Sequence, residues 1–213
     1  MKPLGYKYTY HRNLPHIQPP GATLFVTFRL VGSIPISVQR QLQQEAEHAD
    51  RMLTEIVNPE ERARRAYLEQ RRQFGKWDKV LDAATAGPFW LRDPRVAKLV
   101  ADSLHHLAGR SYDLDVFCIM PNHVHVVLTP LLKEGETYHA LPAIMHSLKR
   151  YTARQANLLL GRQGQFWQHE SYDHVVRDEA ELQRIIRYVL NNPVRAELVT
   201  QWDEWPWTYC RHM

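Results

Sequence analysis

Two histidines, His123 and His125, stand one residue apart in the stretch MPNHVHVVLTP. The valines and leucine around them are typical of a buried β-strand. Side chains alternate between the two faces of a strand, so both imidazoles are expected on the same face. Neutral imidazole is a common metal ligand, and a shared divalent cation relieves the repulsion between two buried rings. The motif therefore has two interpretations: a metal site, or two histidines on a solvent-facing strand edge.

A tyrosine and an asparagine four residues apart form the second candidate group. Tyr188 and Asn192 lie in RIIRYVLNNPV, where the apolar positions form one face of a helix and leave this pair together on another side. Pro193 is expected to end the helix and to restrict the backbone of Asn192. From helix geometry alone, the pair is interpreted as a boundary tyrosine and an asparagine that closes a helix.

A third candidate group is basic. Lys149, Arg150 and Arg154 cluster in SLKRYTARQAN and are interpreted as residues that follow a DNA backbone. Tyr151 lies among them and is interpreted as a packing residue.

Composition limits the function classes. The chain has 213 residues, 44% of them hydrophobic, which is enough for one sizeable core. Its formal net charge of +4 and pI near 9.1 are compatible with nucleic-acid binding but do not indicate it strongly. No apolar run is long enough to span a bilayer, and the N-terminus lacks the apolar segment of a secretory signal. With only Cys118 and Cys210 and no metal-type cysteine spacing, a reducing cytoplasm is expected.

Hydrophobic periodicity predicts the elements that must position these residues. Strands are expected at 23–30, 112–120, 123–129 and, as a short one, 172–176, and helices at 94–108, 141–160 and 178–191. A further helical region begins at 36 and breaks at Asn58-Pro59, a helix-start signal. The order predicts an α+β domain over 1–213, with helices packed on one face of a small sheet. Residues 39–90 are predicted to be a helical insertion with a solvated charged face, and DNA contact is its alternative role.

Three stretches together resemble a known family: VFCIMPNHVHVVLTP, GQFWQHESYDHVVRDEAELQRIIRYVLNNPV and WDEWPWTYCRH. They are similar to the HUH nucleases, more narrowly to the IS200-like tyrosine transposases, and among these to the REP-associated tyrosine transposases. The resemblance covers the N-terminal strand and roughly everything after Asp93. Residues 39–90 have no clear counterpart in the shortest members.

The resemblance implies a ferredoxin-like antiparallel sheet and assigns roles. His123 and His125 would ligate Mg²⁺ or Mn²⁺, with Asn192 as the third polar ligand, and Tyr188 would be the nucleophile. Tyr151, beside Lys149 and Arg150, is the second candidate for the nucleophile. The implied activity is a metal-dependent endonuclease and strand transferase that forms a 5′-phosphotyrosine linkage on single-stranded, hairpin-containing DNA. The resemblance leaves open whether the protein is a monomer or a homodimer.

Two other functions compete with this one. The first is a non-catalytic relative that binds palindromic or hairpin DNA, and the second is a metal phosphodiesterase that uses water instead of tyrosine. The tail residues Trp202, Trp205 and Trp207 are interpreted as pinning the C-terminus to the core, with stacking on unpaired bases as the alternative.

Overall fold

The computed structural model describes residues 9–11, 15–17, 19–83, 87–133 and 135–211. Contacts divide the chain into two compact units, Gly32–Pro88 and the residues on either side of that segment. The elements of the larger unit are β1 (Thr9–His11), β2 (Pro15–Ile17), β3 (Leu24–Leu30), α3 (Pro94–Leu107), β4 (Tyr112–Ile119), β5 (His123–Pro130), α4 (Leu141–Leu159), β6 (Trp167–Val175), α5 (Glu179–Leu190), α6 (Asn192–Arg195) and β7 (Thr208–Cys210). The smaller unit contains α1 (Ile36–Thr54) and α2 (Pro59–Ala83).

The larger unit is built on a five-stranded sheet in the order β6-β3-β5-β4-β7, in which all neighbours are antiparallel. Four of these strands alternate with two helices as β3-α3-β4-β5-α4-β6, which is the ferredoxin-like arrangement. The predicted α+β class and antiparallel sheet are therefore confirmed. A separate two-stranded sheet pairs β1 with β2.

One face of the sheet, called the core face, is apolar and packs against α3 and α4. Alternate residues of β3 and β5 point to this face because side chains alternate along a strand. These residues form one buried cluster with the apolar residues of α3 and α4. The strand members are Leu24, Val26, Phe28, Leu30, Val124, Val126 and Leu128.

The opposite face, called the histidine face, carries Phe25, Thr27 and Arg29 of β3 together with His123 and His125 of β5. Helix α5 contacts β4 and β5, and its Tyr188 ring packs against Phe25 and His125. The expectation that all helices pack on one face is therefore wrong for α5. The physical reason is that α5 has its own buried apolar residues, which cover the side of the sheet that α3 and α4 leave free.

Helix boundaries follow capping chemistry. The Asp93 carboxylate accepts a hydrogen bond from the backbone N–H of Arg95 and begins α3. Gly109, with φ of +72°, follows the end of α3 in the left-handed conformation that glycine tolerates. Helix α5 ends at Leu190, and a second, short helix, α6, begins at Asn192. Pro193 lies in the first turn of α6, where its missing N–H removes no hydrogen bond.

Strand β6 is longer than the predicted short strand. It spans nine residues and starts at Trp167. Its register against β3 shifts between Phe28, which pairs with Ser171, and Leu30, which pairs with Trp167. The chain therefore advances four residues in β6 where it advances two in β3, which is a β-bulge. The bulge interrupts the alternation of side chains between the two faces, and this alternation is the signal by which a strand is predicted from sequence.

The tail is attached to the sheet. The indole N–H of Trp205 donates to the backbone oxygen of Ile119 at 2.9 Å, and Trp207 packs against the core cluster. Strand β7 adds to the β4 edge. The interpretation that the tail is pinned to the core is confirmed for these two tryptophans.

The smaller unit is a pair of long helices. Asn58 caps α2 by accepting from the N–H groups of Glu60 and Glu61, as expected at the Asn58-Pro59 break. Lys76 of α2 forms an ion pair with Glu45 of α1. The interpretation of residues 39–90 as an insertion into a single domain stays a prediction. Neither these helices nor any other in the described ranges combines the length and apolarity needed to cross a bilayer.

Candidate metal and nucleophile site

The two histidines lie side by side on the middle strand of the sheet. The exposed fraction of both His123 and His125 is 0%, so the alternative of a solvent-facing strand edge is wrong. Their Nε2 atoms are 3.0 Å apart, and their rings are inclined at 78°. Both imidazoles therefore present the same nitrogen to one point.

The other nitrogen of each ring is held by a neighbour. His123 Nδ1 lies 2.6 Å from the side-chain oxygen of Asn122, and His125 Nδ1 lies 2.8 Å from the hydroxyl of Thr27. An amide oxygen only accepts hydrogen bonds, so Nδ1 of His123 is the donor, and the neutral ring has its lone pair on Nε2. The Thr27 hydroxyl is compatible with the same tautomer of His125. Such hydrogen bonds on the outer nitrogen are typical of histidines that ligate metals.

The spacing of the two Nε2 atoms fits a shared ion. Two ligands about 2.1 Å from one ion and at a right angle to each other are about 3.0 Å apart. With a divalent cation, both nitrogens keep their lone pairs and both are satisfied.

Tyr188 brings its ring to this pair. The centroid of its ring is 5.7 Å from that of His125, with the planes at 70°, and it packs edge-on against Phe25 at 6.1 Å. The guanidinium carbon of Arg195, on α6, lies 4.9 Å from the centroid of the same ring. A guanidinium at this distance from an aromatic ring makes a favourable cation–π contact.

Asn192 begins α6, at the end of the segment that follows Tyr188. Its side chain is completely buried, yet neither its oxygen nor its nitrogen has a hydrogen-bond partner within the part of the chain that the structure describes. Leaving a buried amide unsatisfied costs about 1–3 kcal/mol. An amide in this state is well suited to ligate an ion or to bind a substrate.

The other candidate nucleophile lies on the opposite side of the sheet. Tyr151 is in α4, whose apolar residues join the core face, and 55% of its surface is exposed. Its neighbours are the α3 residues Asp102 and His106, in a groove between α3 and α4. The structure therefore brings Tyr188, and not Tyr151, to the histidines.

The predicted DNA-binding residues are also on α4. Arg150 and Arg154 are exposed, and Arg150 lines an open groove of about 900 Å³ between α4 and β6. This groove and the histidine face lie on opposite sides of the sheet, with the edge strand β6 between them. Contact of these arginines with DNA stays a prediction.

Lys149 points into the groove wall. Its ammonium lies 3.0, 3.2 and 3.4 Å from the backbone oxygens of Gln168, His169 and Glu170, and 2.7 Å from the hydroxyl of Ser171. Gln168, His169 and Glu170 form the bulge of β6, and Ser171 is the first paired residue after it. Lys149 therefore supplies hydrogen bonds to carbonyls that the bulge removes from the ladder with β3.

Sequence reasoning missed three residues of this arrangement, namely Thr27, Asn122 and Arg195. Thr27 was detectable in part, because alternation in TLFVTFRL places Phe25, Thr27 and Arg29 on one face. What the sequence does not contain is the register that pairs Thr27 with His125.

A comparison with curated proteins finds a relative whose name is that of the family that the three sequence stretches resemble. No family model matches the chain. A curated protein of Haemophilus influenzae, named as a candidate REP-associated tyrosine transposase, is 26% identical over 106 residues. The match spans 46% of this chain and 58% of that relative. A solved structure of a REP-associated tyrosine transposase bound to a REP hairpin is 17% identical, with a TM-score of 0.47, over 93% of this chain and 80% of that one.

Proposed function

We propose that this chain is a metal-dependent endonuclease and strand transferase that uses Tyr188 to cut and rejoin single-stranded DNA. The observation that carries the proposal is the position of the Tyr188 ring 5.7 Å from His125, whose Nε2 meets that of His123 at 3.0 Å. The similarity to the Haemophilus relative supports the same activity. Hairpin-containing DNA as the substrate follows from the family resemblance of the three sequence stretches.

The residues present fit a divalent ion such as Mg²⁺ or Mn²⁺. His123 and His125 would hold it through Nε2, and Asn192 would contribute its amide oxygen, which has no other partner among the described residues. When bound, the ion offsets negative charge on the phosphate. Asn122 and Thr27 keep the two imidazoles oriented.

Tyr188 supplies the nucleophile. Its phenol oxygen forms a bond to phosphorus and loses its proton, while the bond from phosphorus to the 3′ oxygen breaks and that oxygen takes up a proton. The products are a 5′-phosphotyrosine linkage and a free 3′-hydroxyl. Attack of a 3′-hydroxyl on the linkage reverses the reaction, so strand transfer needs neither ATP nor a redox partner. Free tyrosine, with a pKa of about 10, is a weak nucleophile at neutral pH and needs activation by its surroundings.

The substrate must reach a covered surface. Both histidines and Asn192 are fully buried, so the DNA gains access only when the surrounding chain rearranges. The proposal locates the reaction in the cytoplasm, where Cys118 and Cys210, both free thiols, stay reduced.

A covalent-adduct experiment tests the proposal. The wild-type chain is incubated with Mn²⁺ and a pool of single-stranded oligonucleotides that carry a hairpin, randomised flanks and a 3′ label. We expect a labelled species of reduced mobility that survives denaturing electrophoresis, because the 3′ fragment stays attached to the protein. Tyr188→Phe should abolish this species and leave binding of the pool unchanged.

Tyr151→Phe is the matched control, because it removes a phenol on the other side of the sheet. It should form adduct at the wild-type rate. Loss of adduct in Tyr151→Phe alone would reassign the nucleophile. Cleavage that persists in both variants would indicate water as the nucleophile, and binding without any adduct in the wild type would favour the non-catalytic DNA-binding alternative.

A further inference from the structure

A buried arginine lies on the histidine face next to the candidate site. Arg29 of β3 is the cross-strand partner of His123 of β5, and such partners have Cβ atoms about 5 Å apart. Its neighbours in sequence, Phe28 and Leu30, belong to the core cluster on the other face. Arg29 therefore points to the same side of the sheet as Thr27 and His125.

Arg29 is a nearly buried positive charge beside the candidate site. Its exposed fraction is 9%, and burial lowers its pKa to about 10, although the nearby carboxylate of Glu170 acts in the opposite direction. The guanidinium is still protonated at neutral pH. Buried charged side chains with a shifted pKa are common at functional sites.

Arginine has the geometry that phosphate recognition requires. Its planar fork donates two parallel hydrogen bonds to two oxygens of one phosphate group, which the point charge of lysine does not do. Attack of a phenolate on a phosphodiester brings a second negative charge onto the phosphoryl oxygens in the transition state, and a guanidinium beside them stabilises that charge. Arg29 is the cation that the strand register places directly beside His123.

We propose that Arg29 binds the non-bridging oxygens of the phosphodiester that Tyr188 attacks, and so is a catalytic residue of the site. The proposal rests on the proposed function for the identity of the substrate. Glu170 lies in the bulge of β6, where Lys149 holds its backbone oxygen. Its carboxylate balances the charge of Arg29 in the absence of DNA, and the phosphate competes with it for the guanidinium.

The test separates phosphate binding from chemistry. All proteins carry Tyr188→Phe, so that no cleavage occurs, and binding is measured with EDTA present. The probe is the oligonucleotide that the wild type selects most strongly from the hairpin pool, in a series in which each phosphate in turn is replaced by a neutral methylphosphonate. The proteins compared are the parent, Arg29→Gln, Glu170→Gln and Arg110→Gln, the last of which removes an exposed charge beyond the end of α3.

We expect one methylphosphonate position to weaken binding by the parent about tenfold, the loss of one charge-assisted contact. Arg29→Gln should bind the unmodified DNA about tenfold more weakly and show no further loss at that position. Arg110→Gln should retain the parent's sensitivity there. Glu170→Gln should bind at least as tightly as the parent, because it removes the carboxylate that competes with phosphate.

Two results would overturn the proposal: continued sensitivity of Arg29→Gln at the same phosphate, or equal weakening in Arg29→Gln and Glu170→Gln, which would show that the two residues form a structural ion pair. If Arg29→Gln does not fold, Arg29→Lys is used in its place. If Arg29 contacts the phosphate, Arg29→Lys should lose less binding than the parent when that one phosphate is replaced by methylphosphonate. If Arg29 has only a structural role, Arg29→Lys should lose as much binding there as the parent. Wild-type protein that forms no adduct but shows this phosphate dependence would reject the proposed function and the catalytic role of Arg29, and would leave Arg29 as a phosphate-binding residue.

Discussion

The two faces of the central sheet differ in chemistry although they are made by the same strands. On β5, Val124 and Val126 enter the apolar cluster beneath α3 and α4, whereas His123 and His125 point to the other side. On β3, Phe28 belongs to the core face, and the residues on either side of it in sequence, Thr27 and Arg29, do not. One face is thus a hydrophobic core, and the other brings together hydrogen-bonding and charged groups.

This difference shows how a stable sheet can hold a costly polar site. Burial of polar groups has a desolvation cost, and the amide of Asn192, which has no partner among the described residues, lowers the free energy of unfolding. The core face, which is filled by the residues of two helices, provides the compensating hydrophobic burial. Substitutions on the two faces should therefore have opposite signatures: lost activity on one, lost stability on the other.

The largest expected effect is that of His125→Ala on metal-dependent activity. Removal of one of two imidazole ligands should lower the rate of adduct formation by about a thousandfold or more, since the charge compensation by the ion is worth several kcal/mol. The rise in melting temperature that Mn²⁺ produces in the wild type by binding the native state should also disappear. The two measurements are a time course of adduct formation and thermal melts with and without Mn²⁺.

Val126→Ala is the matched control, one residue away on the other face. It should lower the free energy of unfolding by about 2 kcal/mol and leave both adduct formation, well below the melting temperature, and the Mn²⁺ effect unchanged. If His125→Ala instead loses stability and keeps the Mn²⁺ response, the histidine face is a second core and not a metal site.

A smaller effect is expected from Thr27→Val. Valine keeps the shape of threonine but removes the hydroxyl that lies 2.8 Å from His125 Nδ1. Loss of this orienting hydrogen bond should weaken Mn²⁺ binding by about 10–100-fold, measured by calorimetric titration, with near-normal adduct formation at saturating Mn²⁺. Thr23→Val, which loses a hydroxyl contact with Thr129, should leave the affinity for Mn²⁺ unchanged. Equal affinities in the two variants would show that Thr27 does not orient the ligand.

The elements of the sheet were predictable because their signals are local. The alternation in MPNHVHVVLTP places both histidines on one face without knowledge of any other strand. Capping residues such as Asp93 and Asn58 mark helix starts within three residues of sequence. These predictions agree with the structure.

The arrangement around the histidines was not predictable in the same way, because it depends on register between strands. The contact of Thr27 with His125 and the pairing of Arg29 with His123 join residues about a hundred positions apart in the sequence. The packing of α5 on the histidine face depends on which side of the sheet α3 and α4 have already covered. The bulge in β6 breaks the period of two, so the strand was predicted five residues too short at its start.

The smallest expected effects concern the edge of the sheet, where the two faces meet. Arg150→Gln removes an exposed charge from the groove between α4 and β6. It should weaken hairpin-DNA binding a few-fold, reduce the salt dependence of binding by about one phosphate contact, and leave the melting temperature unchanged.

Lys149→Met should lower the melting temperature and leave the affinity for DNA unchanged, because the Lys149 ammonium bonds to the bulge carbonyls. Leaving these carbonyls unsatisfied should destabilise the fold by about 1–3 kcal/mol. Salt-dependent binding and thermal melts of both variants separate the two roles. The contrary result is that Lys149→Met binds DNA as weakly as Arg150→Gln and keeps its stability. In that case the Lys149 ammonium contacts the DNA backbone when DNA is bound, and the bulge is stable without its hydrogen bonds.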